Sequence, residues 1–411
     1  MTKSHKTRRT PSIPGTNASD PEKPSPSKRA SIDSFLVMEV MRAAASEQAQ
    51  GKDILHLEVG QPGTRAPAKA RQAVAQALEH ETLGYTLALG ITPLRKRISQ
   101  HYLETYGIDI PQKRIVITNG SSAAFVLAFL ATFDVGANVA IPEPGYPCYR
   151  QILKALGQIP VSLTTNEQTR WMPLKQQIED NPHDLKGLLI ASPANPTGTM
   201  ITPDRLAQLS KQCAKKAMWF FSDEIYHGLT YGSETVTALK FNENAIVINS
   251  FSKYFSMTGW RVGWMVVPEF LITPIERLAQ NLYISPPAVS QVAALGAFEA
   301  IDELEKNKTA YQKNRDLLLK ELPKAGFSKI APADGAFYLY CDISHLSNDS
   351  KAFAARMLKE IGIAATPGID FDAKNRQKFI RFSYAGTSSD IIEATRRLKA
   401  WPRLSANELT Q

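Results

Sequence analysis

Apolar residues along this chain gather into short runs, and the stretches between them repeat apolar positions at helical spacing. The alternation is clearest from residue 114 onward. Ile115-Val-Ile-Thr118 predicts a strand, and Gly120-Ser-Ser122 leads into an apolar helix through Leu130. Val139-Ala-Ile141 predicts the next strand, followed by a Pro-rich turn and a helix near 147–156. Ile159–Val161, Leu188–Ala191, Trp219–Phe221 and Ile246–Ile248 are further strands, and Thr202-Pro203 opens a helix through Cys213. Strands alternating with helices imply βαβ units and a largely parallel sheet covered by helices on both faces.

The flanks follow other patterns. Ser31 or Asp33 is placed to cap a first helix whose apolar side holds Phe35, Leu36, Val37, Met38, Val40 and Met41. Ile54–Leu57 reads as a short strand entering the turn Glu58-Val-Gly-Gln-Pro-Gly63. Residues 67–80 read as helix and Gly84–Gly90 as loop, and Thr92-Pro93 opens a helix carrying Leu94, Ile98 and Tyr102. Beyond residue 268 the pattern turns helical, over 269–282, 287–303 and 305–324. Strands at 337–340 and 379–382 then mix with helices at 350–361 and 388–401, as in a compact α+β unit. The fold class is therefore α/β: a large domain with a mostly parallel sheet, plus a smaller α+β domain. The expected division is a tail over 1–30, a segment over 31–60 packing with the small domain, a large domain over 61–300 and a small C-terminal domain over 301–411.

Composition changes the picture only at the N-terminus. With 43% hydrophobic and 21% charged residues, the chain is ordinary for a soluble globular protein. The longest apolar run, Ala123 to Phe133, is too short to span a bilayer. Residues 1–30 carry seven Lys/Arg against two Asp/Glu, which is five of the nine net positive charges. That stretch is rich in Pro and Ser, lacks an apolar core for a secretory signal and has no aromatics among its charges. It is expected to be a disordered basic tail, with no nucleic-acid or membrane partner. Cys148, Cys213 and Cys341 form no CxxC pair, which favours a reducing, cytoplasmic compartment, and no metal site is expected.

In open α/β sheets ligands bind beyond the carboxyl ends of the strands, so the residues just after each strand carry the chemistry. After 115–118 come Gly120, Ser121 and Ser122 at a helix N-terminus, suited to a phosphate or to simple capping. After 139–141 comes Tyr146 on a Pro/Gly-shaped turn, able to stack on a planar group or merely to pack. After 188–191 comes Asn195, a hydrogen-bonding group on a turn set by Pro196 and Gly198. After 219–221 comes Asp223, whose charge at an apolar strand tip needs a partner, either a structural cation or a protonated pyridine nitrogen, with Tyr226 close behind. After 246–248 come Ser250 and Lys253, with Arg261 eight residues on. Lys253 is either a surface lysine or an amine that forms a Schiff base with a carbonyl cofactor. Asn195, Asp223 and Lys253 are spaced by 28 and 30 residues, enough in each interval for another strand, so that all three can sit at one rim.

Asn195-Pro-Thr-Gly198, Ser222-Asp-Glu-Ile-Tyr226, Ser250-x-x-Lys253 and Gly259-Trp-Arg261-x-Gly263 together resemble the class I/II pyridoxal-phosphate aminotransferases, of fold type I and aspartate-aminotransferase-like. The resemblance runs over roughly residues 50–400. It implies a ping-pong transfer of an amino group between an L-amino acid and a 2-oxo acid. Lys253 would be the aldimine lysine and proton shuttle, and Asp223 would hold the pyridine nitrogen. Asn195 and Tyr226 would bind the phenolic oxygen, and Tyr146 would stack on the ring. Ser121, Ser122, Ser250 and Arg261 would hold the phosphate. Tyr85, in Tyr85-Thr-x-x-x-Gly90, matches a tyrosine that completes this site from the neighbouring subunit, which implies a homodimer. Arg381 and Gly60 match the groups that receive the substrate α-carboxylate, a task that suits a planar fork.

Two positions depart from the family pattern: Thr64 stands where an aromatic is usual, and Asp372 replaces the last glycine of Pro367-Gly-Ile-Asp-Phe371-Asp372. Both are expected near the place where substrate side chains are sorted, and Arg65 is read as an exposed loop arginine. Two rival functions share these motifs. A carbon–sulfur lyase or other eliminase would keep every residue above and differ in its products. A non-enzymatic regulatory module would need an N-terminal winged-helix domain, for which thirty residues are too few.

Overall fold

The computed structural model describes residues 25–372 and 377–402. The expected tail over 1–30 lies outside the described residues except for 25–30, which are exposed and hold a single 3₁₀ turn, Lys28–Ala30. Helix α1 (Leu36–Ala49) and strand β1 (Leu55–His56) come first, then α2 (Ala68–His80) and α3 (Thr92–Tyr106). The alternating region runs β2 (Ile115–Thr118), α4 (Gly120–Thr132), β3 (Asn138–Glu143), α5 (Pro147–Leu156), β4 (Ile159–Thr164), α6 (Lys175–Glu179), β5 (Leu185–Ala191), α7 (Pro203–Lys215), β6 (Trp219–Asp223), β7 (Ile246–Ser250) and β8 (Gly263–Val266). Then follow α8 (Ile272–Leu282), α9 (Ala288–Ala297), α10 (Ile301–Glu321), β9 (Lys329–Ile330), β10 (Tyr338–Asp342), α11 (Ser350–Ile361), β11 (Ile363–Ala364), β12 (Thr366–Pro367), β13 (Phe379–Ser383) and α12 (Ser388–Ala400).

Strands β2 to β8 form one seven-stranded sheet in the order β2-β8-β7-β6-β5-β3-β4. All its neighbours are parallel except β8, which runs antiparallel to both β2 and β7. Successive residues of a strand point to opposite faces, and here both faces are dry. Ile115, Ile117, Leu188, Ile190, Phe220, Val247 and Trp264 enter one core with α3, α7 and α9. Val116, Val139, Leu189, Phe221, Ile246, Ile248 and Met265 enter another with α4, α5 and α8. This is why β2, β5, β6 and β7 read as unbroken apolar runs.

The C-terminal part builds a four-stranded antiparallel sheet, β12-β13-β10-β9, over a third core. Strand β1 pairs in parallel with β11, and Leu55 and Leu57 enter that same core. Helix α10 bridges the cores: Leu304 packs beneath the large sheet, whereas Tyr311 and Leu318 pack with the small one. Among the described residues, no helix is long and apolar enough to cross a membrane.

Three local expectations need correction. Neither Ser31 nor Asp33 caps α1; Phe35 holds the N-cap position. Asp33 is instead drawn to α5, where its backbone N–H and its carboxylate both bond the Gln151 amide. Strand β8 was hidden because it begins at a glycine inside a polar-looking motif, although all four of its residues are buried. The helix expected over 287–303 stops at Ala297, and α10 starts at Ile301 rather than 305, because the chain turns at Phe298–Ala300.

Candidate active site

The parallel strands deliver their C-terminal ends to one rim, and the residues that follow them line a cavity of about 500 Å³. Lys253 lies three residues past β7, partly buried, and its Nζ donates a hydrogen bond of 2.6 Å to the Gly60 carbonyl. Burial pulls this amine down to about 8, aided by the Arg381 and Arg261 guanidiniums and opposed by Asp223. With such a value roughly a tenth of the amine is unprotonated, and nucleophilic, at pH 7.

Asp223 ends β6, 2% exposed. Its Oδ2 accepts the Tyr149 hydroxyl and its Oδ1 the Ile225 N–H at 3.1 Å. Burial pushes the carboxyl up to about 6, while these two donors and Lys253 favour the anion. Directly behind it Glu224 accepts Ser222 Oγ, Thr237 Oγ1 and the Ala238 N–H, which fixes the strand tip from the far side.

At one end of the cavity α4 presents an N-terminus with no side-chain cap, so its first N–H groups and the Ser121 and Ser122 hydroxyls face the opening. Arg261 leans on this turn from the left-handed region, φ 51°, held by a 3.0 Å bond from Nη1 to the Thr258 carbonyl. Gly120, at φ +76°, lets it lie there, because a Cβ would press on the guanidinium. Ser252 lines the cavity, and Ser250 sits behind it, its hydroxyl proton directed to the Val262 carbonyl, which can only accept, and its oxygen 2.9 Å from Ser252 Oγ.

At the other end Arg381, on β13, is 2% exposed. Nη1 donates to Asn195 Oδ1 at 2.8 Å, and Nη2 to the Glu58 carbonyl and to Thr366 Oγ1. Its Nε is buried with no partner, and among the described residues no carboxylate pairs with it. A buried cation in this condition is primed for an anionic ligand. With its Oδ1 occupied, Asn195 turns its NH₂ end to the cavity as a donor. Tyr226 bonds Tyr338 hydroxyl to hydroxyl at 2.7 Å. Tyr146 stands edge-on to Tyr149 and to Phe35, with ring centroids 5.2 and 5.9 Å apart.

The structure thus brings Gly60, Ser121, Ser122, Tyr146, Asn195, Asp223, Tyr226, Lys253, Arg261 and Arg381 to one cavity. Tyr85 is 86% exposed, on the loop before α3, and is not among the cavity's lining residues. Sequence reasoning missed Tyr149, whose spacing of three from Tyr146 on α5 was a usable signal, and Ser252, inside the lysine motif. It also missed Tyr338, read only as part of a strand, and Phe35 with the α1 residues Val37, Met38 and Met41, which wall the cavity. Neither Thr64 nor Asp372 lines it: Thr64 is an exposed residue bonded to Ser256 Oγ at 2.8 Å, and Asp372 is buried elsewhere. Arg65 is exposed, as expected.

A family model described as aminotransferase class I and II matches residues 52–398. The chain belongs to the class I and II aminotransferases. A valine–pyruvate aminotransferase from Mycobacterium tuberculosis is 46% identical to this aminotransferase over 377 residues, spanning 91% of this chain and 97% of that one. An aspartate aminotransferase from Sulfurisphaera tokodaii is 31% identical, spanning 86% and 91%. A crystal structure of an aminotransferase from Mycobacterium tuberculosis shares the fold with a TM-score of 0.91 at 45% identity, covering 92% of this chain and 99% of that one. The family depends on pyridoxal phosphate, and the residues present fit that group. An uncapped helix N-terminus beside an arginine suits the phosphate, a buried carboxylate suits a ring N–H, and a lysine of lowered pKa lies between them.

Proposed function

We propose that this aminotransferase moves an amino group between an aliphatic L-amino acid of the valine type and a small 2-oxo acid such as pyruvate. The observation that carries this reading is the run of apolar side chains Phe35, Val37, Met38, Met41 and Val59 along the cavity, beside which Gln61 is uncharged. The three cations on the lining are Lys253, Arg261 and Arg381, and each already has a task. Among the described residues no further cation lines the cavity to meet an acidic substrate side chain, whose burial without one is costly. The relative named valine–pyruvate aminotransferase supports the same choice over the one named for aspartate.

In this reading Lys253 anchors the cofactor and carries the proton between the two carbons of the transfer. Ser121, Ser122, Ser250 through Ser252, and Arg261 hold the phosphate, joined by Tyr85 of a neighbouring subunit in a homodimer. Tyr146 stacks on the ring, Asn195 and Tyr226 bind its phenolic oxygen, and Asp223 keeps its nitrogen protonated. Arg381, with the Gly60 backbone beside it, grips the substrate carboxylate. Bound pyridoxal phosphate supplies an electrophilic carbon and an electron sink. Three free cysteines, two of them buried, accord with a cytoplasmic role in amino-acid metabolism.

A donor–acceptor screen on purified enzyme tests the substrate. Valine with pyruvate should yield alanine with a kcat/KM at least about tenfold above that of aspartate with the same acceptor. Faster turnover of aspartate would sink the apolar-wall argument, and pyruvate plus ammonia released from a donor without any acceptor would indicate elimination instead.

A further inference from the structure

Tyr338 touches both halves of the site. Its ring faces the Arg381 guanidinium, 4.3 Å from the ring centroid, and its hydroxyl lies 2.7 Å from that of Tyr226. It is 1% exposed, wedged edge-on against Phe337 and Tyr226, with ring centroids 5.0 and 5.8 Å apart. Gly60 closes the remaining side, since a Cβ there would collide with the Tyr338 hydroxyl. Ring and hydroxyl are thereby locked in place before any ligand arrives.

Hydrogen-bond accounting then gives the pair a direction. A phenol has one proton to donate and lone pairs to accept with. If Tyr226 spends its proton on an oxygen of the cofactor ring, its own oxygen can only accept from Tyr338. Among the described residues, Tyr226 is the sole hydrogen-bond partner of the Tyr338 hydroxyl, so the Tyr338 proton has this one place to go. Donation into Tyr226 also polarises its O–H bond, making it a stronger donor in turn.

We propose that Tyr338 is a positioning residue of this site: it donates its proton to Tyr226 and so holds Tyr226 as donor to the ring oxygen, while its ring face seats Arg381. This rests on the reading that Tyr226 meets the phenolic oxygen. A donor at that oxygen stabilises its anionic form, so weakening the donor raises the pH at which the bound chromophore loses its proton.

The test uses holoenzymes carrying Y338F, Y226F and both substitutions, titrated with pH and followed by cofactor absorbance. Y338F keeps the ring under Arg381 and removes only the hydroxyl. Its midpoint should rise by about half a unit to one unit, the size expected of one neutral hydrogen bond. Y226F should raise the midpoint further, and adding Y338F to it should change nothing more. An unmoved midpoint in Y338F beside a shifted Y226F overturns the proposal. So does an equal Y338F shift in the Y226F background, because Tyr338 would then act independently of Tyr226. A Y226F enzyme with the wild-type midpoint refutes the Tyr226 assignment, and the inference falls with it.

Discussion

Lys253→Ala is expected to abolish transamination, lowering turnover by at least about 10⁴-fold, since in the proposed reading one side chain is both the covalent anchor and the proton carrier. Burial and two flanking guanidiniums bring the amine to about 8, and its bond to the Gly60 carbonyl aims it into the cavity. Among the described residues no other lysine lines that cavity to take its place. The variant should keep the fold, because among the described residues Lys253 Nζ makes that one hydrogen bond alone. Turnover with the best donor and pyruvate, alongside a thermal melt, checks both points. More than a tenth of wild-type activity in a folded Lys253→Ala enzyme would contradict the assignment.

Asp223→Asn should cost about 10²- to 10³-fold in kcat, the range seen when one preorganised charge-stabilising group is removed from an active site. The substitution keeps the shape of the side chain but removes the charge that, in the proposed reading, favours a protonated ring nitrogen, and with it most of the electron-sink strength. The Tyr149 hydroxyl and the Ile225 N–H both donate to this carboxylate and hold it in register. Cofactor binding should persist, because the phosphate and Lys253 contacts are untouched. An Asp223→Asn enzyme within about fivefold of wild-type kcat would show that the buried carboxylate is structural, since loss of a single charge-stabilising donor costs far more.

Much of this site was legible in the sequence for a physical reason. Parallel strands buried on both faces announce themselves as apolar runs, and ligands sit just past their ends, so Asn195, Asp223 and Lys253 could be lined up from spacing alone. Residues supplied by other layers were harder to see. Tyr338 sits in an apolar run, Phe337-Tyr-Leu-Tyr340, where alternation says nothing about which hydroxyl meets Tyr226. The apolar side of α1 was visible, but not that Val37 and Met41 would face the cavity while Val40 packs with Ala44 and Ile54. Strand β8 escaped because glycine at its start breaks the apolar signal. The loops around Thr64 and Asp372 looked like the place where substrates are sorted. Neither residue lines the cavity, whereas α1, which the hydrophobic pattern presented only as a packing helix, contributes Val37, Met38 and Met41 to it.

The claim on which everything else depends is that the cofactor is carried on Lys253. Borohydride reduction of the purified holoenzyme, followed by proteolysis and mass spectrometry of the peptides, reads this directly. The account predicts a reduced pyridoxyl-phosphate adduct on Lys253 and on no other residue. An adduct at a different lysine, or a cofactor-loaded enzyme that acquires none, would contradict it.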